Sequence, residues 1–431
     1  MSRFIEKNLE KDGIDRRGFL KCMAWAGTGA LCVMQGGVLK SFALSDVMQH
    51  KVGDFKGDLS FVQISDSHIG FNKAANPDVT ITLREAIAKV NALPTPPSFV
   101  LHTGDLTHLS KPEEFDTLAE SLKSLKTERI FYVPGEHDVL DDNGAMFRER
   151  FGMGAMGDGW HSFDRNGIHF VGLVNVMNLK AGGLGSLGPE QLDWLKKDVR
   201  GLSSSTPIVV FAHIPLWTVY PEWGWGTDDS EQALGLLKRF GSVGVLNGHI
   251  HQVLQKVEGN VRFHTAMSTA FPQPAPGTAP SPGPMKVEAE RLRKVLGIAS
   301  VEFLRGHQTL AVVDSPLDNS PAGAGVGAAA ATASVTPRAV AAAPDSAGSA
   351  TTIKIDNFSF IPPTTTVPAG STITWVNADD VPHKIVSSDG KFAASPAIDT
   401  NDRYAFRFTQ PGRYEYFCAL HPRMTGAIVI Q

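Results

Sequence analysis

Cysteine is nearly missing from this chain. Three occur among 431 residues, Cys22, Cys32 and Cys418, so a disulfide framework is excluded and packed cores must carry the stability. Basic charge is not in excess: the formal net charge is −4, which excludes the electrostatic footprint of a nucleic-acid binder. The apolar run with the best claim to a membrane span, Cys22 to Leu39, is only 18 residues long and is interrupted by glycines, too weak for a permanent anchor. What remains is a soluble globular chain with room for two or three domains.

The first 43 residues read as a leader and are set apart from the fold. Asp15-Arg16-Arg17-Gly18-Phe19-Leu20-Lys21 precedes the uncharged run, and Ser41-Phe42-Ala43 has the small-x-small pattern of a cleavage site. This resembles a twin-arginine signal peptide, with Asp15 where serine or threonine is usual. The resemblance implies a periplasmic protein exported in folded form. Cleavage after Ala43 removes Cys22 and Cys32 and leaves Cys418 as the one thiol of the mature chain.

From Leu59 onward strands alternate with helical patterns, the signature of an α/β domain. The strand Phe61-Val62-Gln63-Ile64 runs into Asp66-Ser67-His68, and the strand Ser98 to His102 into Gly104-Asp105. Arg129 to Val133 runs into Gly135-Glu136-His137-Asp138, Pro207 to Ala212 into His213, and Val243 to Leu246 into Gly248-His249-Ile250-His251. Helices are expected at 79–93, 112–125, 189–199, 229–240 and 287–296, a further strand at 168–174, and closing strands within 301–313. Five strands thus end in carboxylate or imidazole, at the edge where α/β sheets place their chemistry.

In that order and at those spacings, the five strand ends resemble the calcineurin-like metallophosphoesterases over residues 58–314. The resemblance implies a four-layer αββα sandwich and a binuclear site for hydrolysis of phosphate mono- or diesters. Asp66, His68 and His251 would hold one metal, His213 and His249 the other, and Asp105 would bridge. His137 would stand close enough to the ester oxygen to donate a proton. Two ions about 3.5–4 Å apart clamp a phosphoryl group and acidify a bound water, and imidazole with carboxylate suits Fe, Mn or Zn. Glu136 departs from the family, which usually has asparagine there. With Asp66 and Asp105 it makes three carboxylates, which with one hydroxide cancel two divalent ions, and so favours a mixed-valence pair of higher charge.

The aromatic loop Trp217, Tyr220, Trp223 and Trp225 is open to three uses: lining a cleft, docking another domain, or ordinary packing. Phe271 to Pro284 is proline-rich and reads as an excursion near the site. Residues 315–350 are almost entirely Ala, Gly, Pro, Ser and Thr and form a linker. As a flexible coil its ends average roughly 33 Å apart, enough for the tail to reach the loop around Trp223.

From 351 to 431 the pattern becomes short alternating strands, an all-β Greek-key sandwich. His383, Cys418, His421 and Met424 supply two imidazoles, a thiolate and a thioether, the soft set that suits one copper ion. The short Cys418-x-x-His421-x-x-Met424 loop and Val381-Pro382-His383 resemble the cupredoxins, amicyanin and plastocyanin-like domains most closely. That resemblance implies electron transfer with a redox partner protein. Two functions follow: an exported phosphoesterase acting on a small phosphate ester with an appended copper module, or a periplasmic copper protein whose α/β domain only binds metal or docks a partner.

Overall fold

The computed structural model describes residues 30–35, 38–43, 59–127, 129–152, 154–304, 309–319 and 350–431. The expected leader lies outside the described residues except for Ala30–Gln35 and Val38–Ala43, which pair antiparallel. Asp58–Gln431 forms a compact unit of its own.

That unit begins with β1 (Leu59–Ile64), α1 (Val79–Asn91), β2 (Val100–His102), α2 (Pro112–Leu122), β3 (Ile130–Tyr132) and α3 (Ala145–Phe151). It continues through β4 (His161–Arg165), β5 (Ile168–Gly172), α4 (Pro189–Val199), β6 (Ile208–Ala212), α5 (Ser230–Leu237) and β7 (Val243–Asn247). The hairpin β8 (Gln255–Glu258) and β9 (Val261–Thr265), α6 (Ala289–Val295), β10 (Gly297–Leu304) and β11 (Thr309–Pro316) follow. One sheet has the order β11-β10-β1-β2-β3 and the other β8-β9-β7-β6-β5-β4.

Side-chain alternation along the strands builds the layers. In β1, Phe61 enters the core between the sheets with Phe99, Phe170 and Phe211, while Val62 and Ile64 meet α1 and α2 through Leu83, Ile87, Phe115 and Leu118. On the other sheet α4 and α5 cover Val171, Val210 and Val245 with Leu195, Val199, Ala233 and Leu237. The result is the expected αββα sandwich. The Asp78 carboxylate caps α1 by accepting from the Thr80 and Ile81 N–H groups, and α2 and α4 start on Pro112 and Pro189, where a missing N–H costs nothing.

Strands β1, β2 and β3 are parallel, as are β5, β6 and β7. Their carboxyl ends therefore gather at one edge and deliver the five motifs together. Strands β4, β8 and β9 and helix α3 are not among the elements expected from sequence. Strand β8, Gln-Lys-Val-Glu, is exposed along its whole length and has no apolar face to read. The linker start also shifts: β11 runs to Pro316, and Leu317 is buried among α1 and α6 residues, so the core holds the chain past Ser315. Residues 320–349 lie outside the described residues.

The C-terminal part comprises β12 (Ala350–Ile355), β13 (Phe360–Ile361), β14 (Thr364–Val367), β15 (Thr372–Asn377), β16 (Ile385–Ser387), β17 (Arg403–Arg407), β18 (Gly412–Cys418) and β19 (Thr425–Ile430). Two four-stranded sheets, β13-β12-β15-β17 and β14-β19-β18-β16, enclose Ile353, Ile373, Trp375, Ile385, Tyr416 and Ile428. This sandwich touches the α/β part directly. Leu140 joins its apolar cluster, Lys384 Nζ donates to the Leu140 carbonyl, and Lys73 pairs with Asp399 at 3.7 Å.

Candidate metal centres

The strand-end loops bring all seven predicted α/β ligands together. Asp66, His68 and His251 form one group of converging donor atoms and Glu136, His213 and His249 a second, each within 4.8 Å. Asp105 spans them: its Oδ2 lies 3.4 Å from His68 Nε2 and 3.3 Å from His213 Nε2. Glu136 points inward, with Oε2 3.0 Å from His213 Nε2 and Oε1 2.9 Å from His249 Nδ1.

Backbone carbonyls set the tautomers. His213 Nδ1 is 2.7 Å from the Thr103 carbonyl and His251 Nδ1 is 2.6 Å from that of Phe271. A carbonyl only accepts, so each Nδ1 carries the proton and each Nε2 keeps its lone pair for the cluster. For His213 that lone pair faces two carboxylates. His213 Nε2, His249 Nδ1, Glu136 Oε2 and Asp66 Oδ2 are buried without a hydrogen-bond partner of acceptable geometry. Such opposed lone pairs are tolerable only with positive charge between them.

The electrostatics of these groups make the same demand. Burial pushes His213 down, but the Asp105 and Glu136 carboxylates outweigh it and hold its pKa well above the ordinary 6.5. Burial pushes Glu136 up, and His249 and His213 more than reverse it, leaving it well below 4.5. Asp66 falls to about 2, burial being overcome by His251 and His213. His68 is driven well below 6.5 by burial and by His137, His251 and His108, which leaves it neutral, the form that ligates. The residues fit two metal ions, since a cation can take the place that a proton otherwise fills.

The backbone is strained where these ligands sit. Asp66, His68, Asp105, His249 and His251 are all left-handed, with φ between 41° and 71°, a conformation costing about 1–3 kcal/mol at non-glycine residues. Glycine permits the close approach of neighbouring loops. A Cβ on Gly104 would stand 2.4 Å from His213 Nδ1, and one on Gly135 2.0 Å from Asp105 Oδ1. The glycines therefore make room for the ligand side chains themselves. Asp138 ties two loops together by accepting from the N–H groups of Leu106, Thr107 and Gly135.

His137 Nδ1 lies 2.8 Å from the His108 carbonyl, which leaves its Nε2 for the cavity it lines. His108 escaped the sequence reading. Its ring stacks on His137 with centroids 5.2 Å apart, and its Nδ1 is 3.5 Å from His68 Nδ1. It follows Asp105 by three residues on an irregular loop, where no periodicity marks it.

The C-terminal ligands also converge. Cys418 Sγ is 3.6 Å from the Nδ1 atoms of both His383 and His421, and those nitrogens are 3.3 Å apart. Met424 is buried, and its carbonyl accepts from the Cys418 N–H at 3.0 Å. His383 Nε2 bonds Asp379 at 2.9 Å, which turns Nδ1 toward the sulfur. Burial alone would raise Cys418, but His383 and His421 hold it well below 9, as a thiolate. Burial lowers His383, and Asp379 and Cys418 overcome this to raise it to about 9. Two imidazoles around a buried thiolate fit a copper ion in a trigonal site.

Both ligand sets border one cavity of about 310 Å³. Its walls include His68, Asp105, Glu136, His137, His249 and His251 from the α/β part, and Phe358, Leu420, His421, Arg423 and Met424 from the sandwich. Trp223, Trp225, Phe271 and Pro280 to Pro282 complete it. The aromatic loop thus divides its uses, because Trp217 packs on Phe263 in a core.

Comparison with known families agrees with this geometry. The calcineurin-like phosphoesterase family model matches residues 59–253, and the cupredoxin-like domain model matches residues 326–430. The chain is a calcineurin-like phosphoesterase joined to a cupredoxin. The cupredoxin part is 32% identical over 112 residues to amicyanin-alpha of Methylorubrum extorquens, covering 94% of that protein and 25% of this chain. The phosphoesterase part is 26% identical over 171 residues to a probable glycerophosphodiester phosphodiesterase GpdQ of Arcobacter nitrofigilis, over 36% of this chain and 57% of that relative. A dimetal phosphatase structure from Danio rerio aligns over 61% of this chain and 97% of its own, with 14% identity and a TM-score of 0.45. The phosphoesterase–cupredoxin is a metal-dependent enzyme of the phosphoric ester hydrolase class.

Proposed function

We propose that this phosphoesterase–cupredoxin is an exported hydrolase of small phosphate mono- or diesters, with an electron-transfer copper module at the mouth of its hydrolytic cavity. The observation that carries this is the convergence of seven ligands from five strand ends, six buried and His249 half-buried, their lone pairs opposed across one cavity. Asp66, His68 and His251 would hold one ion, Glu136, His213 and His249 the other, and Asp105 both. His383, Cys418, His421 and Met424 would hold copper. When bound, the paired ions, Fe, Mn or Zn, supply Lewis acidity to the phosphoryl oxygens and to water.

The protein's own groups do the remaining work. His137, fixed through Nδ1–H by the His108 carbonyl, presents Nε2 to the leaving oxygen; a proton carried on Nε2 would pass to the departing alkoxide and leave neutral imidazole with its Nδ1–H in place. Asp138 keeps the Asp105 and Glu136 loops in register. Trp223, Phe271 and Phe358 exclude water from the organic part of the ester. The cavity volume stands at the small end of ligand sites, about 300–1,000 Å³, which supports a small-molecule substrate over a phosphoprotein.

Export through the twin-arginine route to the periplasm rests on Arg16-Arg17 and the segment behind them. Among the described residues no helix is long and apolar enough to cross a membrane. Replacing both arginines with lysine is expected to retain precursor in the cytoplasm, and unimpaired export refutes the route.

Full-length protein is to be tested on chromogenic mono- and diesters with Mn, Zn or Fe, while the visible copper–thiolate band is followed. Asp105→Asn and His249→Ala are expected to lower turnover by orders of magnitude and leave that band intact. Absence of turnover with every metal removes the hydrolase reading and leaves a copper protein with a non-catalytic α/β domain.

A further inference from the structure

The shared cavity has an unusual distribution of charge. Its wall carries the carboxylates of Asp105, Glu136 and Glu222, and among the described residues that line it Arg423 is the single Arg or Lys. A phosphate ester entering this space therefore meets one permanent cation of the protein, and that cation belongs to the cupredoxin. Arg423 stands between the candidate copper ligands His421 and Met424 in sequence.

The loop that carries it is clasped to the phosphoesterase. Arg423 Nη1 donates to the Gly182 carbonyl at 2.6 Å, and the Gly182 N–H donates to the Pro422 carbonyl at 2.6 Å. A guanidinium has five N–H donors in a planar fork suited to phosphate oxygens, and this clasp accounts for one. Beside it, Phe358 is held in a left-handed backbone, φ 54°. The Asp379 carboxylate accepts from the Asn357 and Phe358 N–H groups and also bonds His383 Nε2. The Phe358 ring meets His421 edge-on with centroids 4.6 Å apart. One carboxylate thus positions both a copper ligand and a wall of the hydrolytic cavity.

We infer that the cupredoxin completes the substrate site: Arg423 contacts an anionic oxygen of the phosphate ligand, Phe358 walls its organic part, and the bound anion senses the charge of the copper beside His421. This rests on the phosphate-ester reading of the cavity. Copper changes by one unit of charge when it gives up or takes an electron, so an anion held at Arg423 binds more tightly to the oxidised form. By linkage, the same anion lowers the copper midpoint potential.

Inorganic phosphate is the probe, titrated calorimetrically into full-length protein loaded with copper and with the paired metals. Arg423→Gln keeps a donor for the Gly182 carbonyl and loses the charge, and is expected to weaken phosphate about tenfold, the scale of a charge-assisted hydrogen bond. It should raise KM with little change in kcat. Arg423→Lys keeps the charge without the fork and is expected to recover part of the loss, binding phosphate more tightly than Arg423→Gln. The copper–thiolate band reports that each variant is folded and loaded. Wild-type affinity in Arg423→Gln overturns the inference, as does an Arg423→Lys variant as weak as Arg423→Gln, which would make the role structural. Phosphate is expected to bind about threefold more tightly with copper oxidised than reduced, which at about 59 mV per decade for one electron is a fall of about 28 mV in midpoint; equal affinities remove the link. Because phosphate binding is read without turnover, an inactive enzyme with Arg423-dependent binding refutes hydrolysis alone, and an active one with Arg423-independent binding refutes this inference alone.

Discussion

Glu136 adds a third carboxylate to this site, and the structure sets the size of the effect. Its carboxylate is 3.0 Å from His213 Nε2 and 2.9 Å from His249 Nδ1. One ion pair at 3.0 Å in an effective dielectric of about 20 is worth roughly 5 kcal/mol, and breaking a buried pair costs about 3–5 kcal/mol net. Glu136→Gln keeps the volume and removes the charge. At about 2–4 °C per kcal/mol for a domain of this size, the metal-free protein is expected to melt about 6–20 °C lower. The sign follows from His213, whose folded pKa is raised well above 6.5. Its contribution is full below pH 6.5 and is lost as pH rises through the raised value, so the gap between wild type and variant is widest in mild acid. Differential scanning calorimetry checks this, and a Glu136→Gln protein melting within about 1 °C of wild type at pH 6 defeats the pairing argument. With metals, the third carboxylate favours a pair of higher total charge such as Fe(III) with a divalent ion. Elemental analysis showing two Zn in protein purified from its native host, and no change on Glu136→Asn, refutes that reading of metal choice.

Gly135→Ala places a Cβ 2.0 Å from Asp105 Oδ1 and 2.4 Å from its backbone nitrogen; it is expected to abolish binding of the paired metals while copper is retained, measured by metal content. Asp379→Asn loosens His383 and the Phe358 loop together, and by the usual weight of such partners is expected to lower copper affinity about 10–100-fold, read in a competition titration with a copper chelator. Glu114 is raised to about 7, burial being the largest cause against the backbone N–H groups of Leu109 and Lys111. A carboxyl raised in the fold keeps its proton, so the penalty appears as pH climbs from 4.5 to about 7 and reaches roughly 3 kcal/mol. The stability of Glu114→Gln relative to wild type is therefore expected to grow across that window and then level off, and a pH-independent difference contradicts it.

The ligands were legible because each follows a strand with a strong local signal, and because parallel pairing carries five strand ends to one edge whatever the loops do. Asp66, Asp105 and His213 are ordinary turn or strand-end residues singly, and become readable as ligands only when the five strand ends are taken together. His108 and Asp138 act through contacts on irregular loops, and neither residue type nor spacing marks such a contact. The meeting of the two domains was less legible still. Composition reads residues 315–350 as a tether, and a tether sets only how far the cupredoxin can travel. What decides where it stops is the fit of Leu140 into its apolar cluster and the clasp between Gly182 and the Pro422-Arg423 backbone and side chain. Those residues look like ordinary loop residues in sequence, because each matters only to a partner more than 200 positions away. The same contacts set the candidate copper ligands against the hydrolytic cavity. Arg423 stands where the two meet: it lines the cavity, and in the chain it lies between the candidate copper ligands His421 and Met424.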